Sequence, residues 1–267
     1  MPNLLVKPSR PDADGRIHAV TPETAGWTYV GFEVFRLKAG QSLHRETHRR
    51  EACIVMLSGR ARASAAGQDF GTIGGRSSPF EPDPWSLYVP ARSEWTLTAD
   101  GDCEIAVCTA PAEGRLPARV IRPERVGQET RGKGTNTRHV RNILPETEPA
   151  ESLLVVEVIT PPGHWSSYPP HKHDRDALPD ESLLEETYYH RLNPPTGFAL
   201  QRVYTDDRSL DETLAASDGD VVLVPRGYHP VGAPHGYELY YLNVMAGPKR
   251  IWKFHNDPAH EWMLAKA

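Results

Sequence analysis

At 267 residues the chain can bury one large core or two medium ones, and its 39% hydrophobic content is ordinary for a globular protein. A net charge of −5, mixed in sign along the chain, excludes the basic footprint of a nucleic-acid binder, and no apolar run approaches the length of a membrane helix. The 25 prolines and 21 glycines fall between short apolar runs, which is the punctuation of an all-β protein.

The opening MPNLLVKPSRPDADG has no apolar run long enough for a secretory signal. Cys53, Cys103 and Cys108 lie in apolar, strand-like settings and form no Cys-x-x-Cys, so buried thiols in a reducing cytoplasm are the expectation. In chain order, strands are predicted over residues 26–37, 52–57, 60–65, 86–90, 94–98 and 103–109. A Pro- and Arg-rich stretch, 111–126, connects to further strands at 137–144, 153–160, 198–204, 220–225, 237–245 and 249–254. Residues 206–216 (DDRSLDETLAA) read as the one short helix or turn, and 256–267 as a terminal helix. Two halves echo each other: Glu51 precedes Pro90 by 39 residues, and Glu186 precedes Pro225 by 39. This suggests two copies of one short-stranded unit, residues 1–115 and 116–267. At that offset His229 falls on Glu94, and His171 and His173 find only the imperfect matches His44 and His48. The first copy is therefore expected to lack a metal site.

The stretch GHWSSYPPHKHDRDALPDESLLEETYYHR, residues 163–191, carries the chemistry. A strand puts His171 and His173 on one face. Glu186 follows thirteen residues after His173 at the head of another strand-like run, and His229 sits in VPRGYHP. Three imidazoles and a carboxylate form a donor set for Zn²⁺, Mn²⁺ or Fe²⁺. The competing reading is that these histidines are ordinary core or surface residues. Tyr188 and His190 share the face of Glu186, so Glu186 and Tyr188 are the catalytic candidates, with packing in a wall as the alternative for Tyr188. Lys172 alternates away from the ligand face and is read as outward.

The segment from Gly219 through Pro225 and Gly227 to His229 resembles the second motif of cupins, and His171, His173 and Glu186 resemble the ligands of the first. The departure is the twelve residues between His173 and Glu186, read as a loop inserted at a barrel mouth. SSYPPHKHD, EETYYHR, GFALQRVYTDDRSLDE, VVLVPRGYHPV and YYLNVMAGPKRIWKFHNDP together resemble the 5-deoxy-glucuronate isomerase family of myo-inositol catabolism. That resemblance implies two tandem cupin barrels, all-β and of the jelly-roll kind. The first would be without metal, and the second would bind a divalent metal, zinc first and manganese or iron next. It implies isomerisation of a deoxy-uronate, 5-deoxy-D-glucuronate to 2-deoxy-5-keto-D-gluconate, with no nucleic-acid or membrane partner and self-association left open. A uronate carboxylate calls for an Arg fork, for which Arg202 and Arg138 are candidates, with Tyr168 beside the Pro pair as a further contact. The alternatives are a metal cupin dioxygenase and a non-catalytic sugar-binding bicupin.

Overall fold

A computed structural model describes residues 3–82 and 84–264. Nearly every element is a strand, as the short apolar runs dictate, and the chain forms two compact units.

The proximal unit comprises residues 8–127 and 142–155. Its larger sheet runs Arg119–Ile121, Ser86–Val89, Arg50–Ser58, Cys103–Pro111, Gly31–Leu37, Arg16–Val20. Its smaller sheet runs Ser42–Glu46, Glu94–Ala99, Arg60–Ala65, Gln68–Gly74. Side chains from both fill the space between them: Phe35, Ile54 and Met56 from one, Leu43, Trp95 and Leu97 from the other. The three cysteines are buried and unpaired.

The distal unit comprises residues 3–7, 128–141 and 156–264. Its large sheet is ordered Leu5–Val6, Val221–Val224, Glu185–Asn193, Glu238–Ala246, Leu154–Thr160, Arg138–Leu144, Gly127–Arg131, strands whose residues 127, 142–144 and 154–155 count with the proximal unit. A four-stranded sheet runs Trp165–Ser166, Val231–Gly232, Phe198–Tyr204, Asp211–Ser217. Two short ribbons complete it, His171–Lys172 with His255–Asn256 and Asp174–Ala177 with Glu181–Leu183.

This partition differs from the single boundary at 115/116. Residues 3–7 leave the N-terminal end to pair with the strand at 221–224, and 142–155 return to the proximal unit. The anchor of the returning segment is Glu51, whose carboxylate accepts N–H bonds from Glu151, Ser152 and Leu153 at 2.9, 2.6 and 2.7 Å, and the Tyr88 hydroxyl at 2.6 Å. Glu151 in turn accepts from the N–H groups of Glu113, Gly114 and Arg115.

Three element expectations are corrected. Residues 211–217 form a strand, not a helix, because all seven pair antiparallel with Phe198–Tyr204. Residues 249–254 are not a strand; the short strand falls at His255–Asn256. Of the expected terminal helix, only a single turn at Glu261–Met263 forms, and residues 265–267 lie outside the described residues.

Candidate metal centre and cleft

Three segments of the distal unit converge. On Glu185–Asn193 alternation puts Glu186, Tyr188 and His190 on the interior face, all buried. Glu186 lies opposite Val224, the last residue before the turn that carries His229. That turn is held by paired N–H···O bonds between Tyr204 and Tyr228, 2.9 and 2.7 Å. Gly227 has φ +92°, and a Cβ there would run into the Tyr204 carbonyl, so only glycine fits. The twelve residues between His173 and Glu186 contain a hairpin, Asp174–Ala177 with Glu181–Leu183, that returns the chain to its start. Leu184 N–H bonds the His173 carbonyl at 2.9 Å, so the unusual spacing is looped out and Glu186 still reaches His173.

The geometry at the centre is specific. His173 Nδ1 lies 3.0 Å from the Leu184 carbonyl oxygen, and His229 Nδ1 lies 2.8 Å from that of Gly227. A carbonyl only accepts, so both Nδ1 atoms carry the proton and both Nε2 atoms present lone pairs. Each Nε2 is 3.1 Å from Glu186 Oε2. Two imidazole lone pairs and a carboxylate oxygen thus face one another in a buried site. One added proton serves only one of the rings, and His229 Nε2 has no hydrogen-bond partner. Donors about 2.1 Å from a common ion sit about 3.0–3.4 Å apart, so this donor set fits a divalent metal. Among the described residues it is the group of three close enough to share an ion.

Electrostatics act differently on the members of the site. Burial alone would raise the Glu186 pKa, but His229 and His173 outweigh it and hold the carboxyl down to about 2. Burial, with His229 and His173 nearby, pushes His171 well below its usual range. For His173 burial works against the charge and Glu186 more than offsets it, leaving the ring raised. The His171 ring lies beside the trio, 5.1 Å from His229 and 6.4 Å from His173 between centroids, with Phe254 against it at 4.6 Å.

His171 also lines a cleft of about 830 Å³, within the range of small-molecule sites. Its other walls come from Gly132, Lys133, Thr135, Asn136, Arg138, Trp165, Tyr168, Pro169, Phe254, Asn256 and the segment Trp262 to Leu264. Arg138 and Tyr168 are therefore beside His171, and the Arg138 guanidinium donates to the Tyr168 carbonyl at 3.2 Å. Arg202 is not, and its proposed role as the carboxylate fork is corrected. The strand Phe198–Tyr204 buries Ala199, Gln201 and Val203 and exposes Phe198, Leu200 and Arg202. Arg202 points outward and is spent on Asp211 through two bonds of 2.7 Å. Lys172 faces away from the donor set, but it is 2% exposed rather than solvated, its ammonium 2.9 Å from Asp174 and 3.0 Å from Asp206.

Sequence reasoning missed the hydroxyl cluster beside Glu186. Tyr188 shares a 2.8 Å hydrogen bond with Ser167, and Tyr241 shares a short one with Ser166. Ser167 holds φ +51°, a region that serine rarely adopts, and its hydroxyl faces Tyr188. Burial, then Glu186, raises the Tyr188 pKa well above 10, so it remains a phenol. SSY and YELYYLNVM were visible as hydroxyl-rich runs, but their facing was not.

Double-sheet barrels, one of them with a buried His/Glu cluster that could hold a metal ion, define a bicupin. Comparison with known proteins agrees: oxalate decarboxylase of Bacillus subtilis superposes with a TM-score of 0.66 over 96% of this chain and 80% of that one, at 16% identity, which speaks for the fold alone. The KduI/IolB family profile matches residues 4–263, and the chain belongs to that family. The 5-deoxy-glucuronate isomerase of Geobacillus kaustophilus is 58% identical over 265 residues, 99% of this chain and 96% of the relative. That of Bacillus subtilis strain 168 is 51% identical over the full length of both. A crystal structure of an IolB-like protein from Salmonella typhimurium LT2 superposes with a TM-score of 0.95 at 53% identity, covering 98% and 99% of the two chains.

Proposed function

We propose that the chain is an aldose–ketose isomerase that converts 5-deoxy-D-glucuronate to 2-deoxy-5-keto-D-gluconate in myo-inositol degradation. The observation that carries the reading is the buried trio His173, Glu186 and His229, with two bare Nε2 atoms turned on one carboxylate oxygen, in a member of this family. His171 is the fourth ligand in this reading, at the edge where the cleft meets the trio. Zinc is the ion we assign first; manganese and iron suit the same donors. A bound divalent ion supplies Lewis-acid stabilisation of charge on a carbonyl oxygen.

The chain's own residues do the rest. Isomerisation moves one proton between adjacent carbons and one between their oxygens. Tyr188, kept a phenol by burial, donates a hydrogen bond to an oxygen of the reacting pair, and Ser167 aims it. Glu186 orients the imidazoles and carries the negative charge that keeps the donor set balanced. Tyr168 and Arg138 border the path by which the sugar enters, with Arg138 available to its carboxylate. We place the reaction in the cytoplasm, which suits three buried, unpaired cysteines.

Metal analysis of the purified protein, coupled to an NMR time course on 5-deoxy-glucuronate, tests this. His173→Ala is expected to abolish both stoichiometric metal and turnover. Undiminished turnover in that variant, or in demetallated protein, would overturn it.

A further inference from the structure

The cleft that His171 lines carries two cations, Lys133 and Arg138, and no carboxylate, in a chain whose net charge is −5. Among the described residues neither makes an ion pair. The Arg138 Nη1 donates only to the carbonyl oxygens of Asn136 and Tyr168, at 3.1 and 3.2 Å. Other part-buried arginines of the same unit are matched with acids: Arg141 with Glu157 at 2.7 Å and Arg191 with Asp218 at 2.9 Å. A guanidinium drawn out of water without a counter-ion is costly unless an anion arrives to complete it. The turn that bears Lys133 is folded against this guanidinium. Gly132 and Gly134 flank Lys133 at φ +79° and +54°, and a Cβ on Gly132 would run into the Asn136 carbonyl and come 2.8 Å from Arg138 Nη1. Glycine is thus required for the turn to close over Arg138, and the closed turn sets Lys133 on the same cleft.

We infer that Lys133 and Arg138 together anchor the carboxylate of the substrate, with Lys133 the specificity-determining residue that favours an anionic sugar over a neutral one. The inference rests on the isomerase reading for the identity of the sugar. An acid anchored there keeps its other end in the cleft that His171 borders. Guanidinium and ammonium on one carboxylate give it charge-assisted bonds that a terminal alcohol cannot match.

The test uses full-length, metal-loaded protein and two ligands, 5-deoxy-glucuronate and 5-deoxy-glucose, in which a CH₂OH replaces the carboxylate. Binding is read by calorimetry and turnover by NMR. Lys133→Met is expected to weaken uronate binding about tenfold and to raise its KM by a similar factor, with kcat within about twofold. The preference for the uronate over the neutral sugar falls by the same factor, and Lys133→Arg restores most of it. Equal losses on both sugars would reduce Lys133 to a structural part of its turn, and unchanged uronate affinity would remove it from the site. Uronate binding that depends on Lys133 without conversion would keep the anchor and overturn the isomerase reading. Conversion with affinity independent of Lys133 would do the reverse.

Discussion

His190 stands two positions beyond Tyr188 on the interior face, its Nε2 donating to Gln201 Oε1 at 2.9 Å and its Nδ1 buried without a protein partner. Burial is the largest influence and holds its pKa at about 4, against an ordinary value of 6.5. Between those two pH values the unfolded chain binds a proton that the folded chain does not. Stability from this residue is therefore complete above pH 6.5 and is lost as the pH falls toward 4. The whole window is worth about 3 kcal/mol. Urea midpoints at pH 7 and pH 4.5 should fall further in the natural protein than in His190→Gln; equal falls would mean that the folded ring takes up its proton normally. Arg202 teaches the complementary lesson. The sequence predicts its strand, but a period of two says only that Gln201 and Arg202 face opposite ways, not which one faces inward. With its guanidinium paired to Asp211 on the exposed face, Arg202→Lys should shift the uronate KM by less than about twofold and stability by less than about 1 kcal/mol. A large KM effect would return it to the site. The cluster of His173, Glu186 and His229 was legible because imidazoles in such a pattern are rare; the hydroxyls of Ser167 and Tyr241 were not, because their types are common and only the fold brings them to Glu186.

At the scale of elements, apolar runs located most strands, and two failures have physical causes. DETLAAS is rich in helix formers, but pairing along all seven residues with Phe198–Tyr204 overrides propensity. The echo between the halves is real in spacing and slipped in facing. Glu186 pairs opposite Val224, whereas the residue opposite Val89 is Ala52. A slip of one residue moves Glu51 off the interior face, where Ala52, Ile54 and Met56 pack with Trp95, and frees it to bind the 151–153 backbone. Behind the donor set, the Lys172 ammonium ties ligand-bearing elements together. Asp174, its partner at 2.9 Å, accepts the Gly227 N–H at 2.9 Å, and Asp206, its partner at 3.0 Å, accepts the Tyr228 hydroxyl at 2.8 Å. Its removal takes away the buried cation shared by Asp174, Glu181 and Asp206, and leaves only the more exposed Arg175, 2.7 Å from Asp206 and 4.0 Å from Asp174. Lys172→Met is expected to cost about 3 kcal/mol in denaturant unfolding and to weaken metal binding about 10- to 100-fold in chelator competition, with Lys172→Arg intermediate. Unchanged metal affinity would confine Lys172 to stability.

For the whole molecule the two units predict different responses to metal. The proximal barrel is filled with apolar side chains where the distal one holds imidazoles, and its nearest counterparts, His44, His48 and Glu94, lie on exposed positions. One ion per chain is the expected stoichiometry. An ion bound to the folded state alone, at a free concentration of about 100 times its dissociation constant, adds about 2.7 kcal/mol of stability. For a chain of this size that is about 5–10 °C in the melting temperature, and it disappears on chelation. His173→Ala protein, which lacks the full donor set, should melt at the same temperature with and without chelator. Were the natural protein to show the same indifference, the two lone pairs turned on Glu186 would have to be reconciled by protons rather than by a cation, and the Lewis-acid route to isomerisation would lose its foundation.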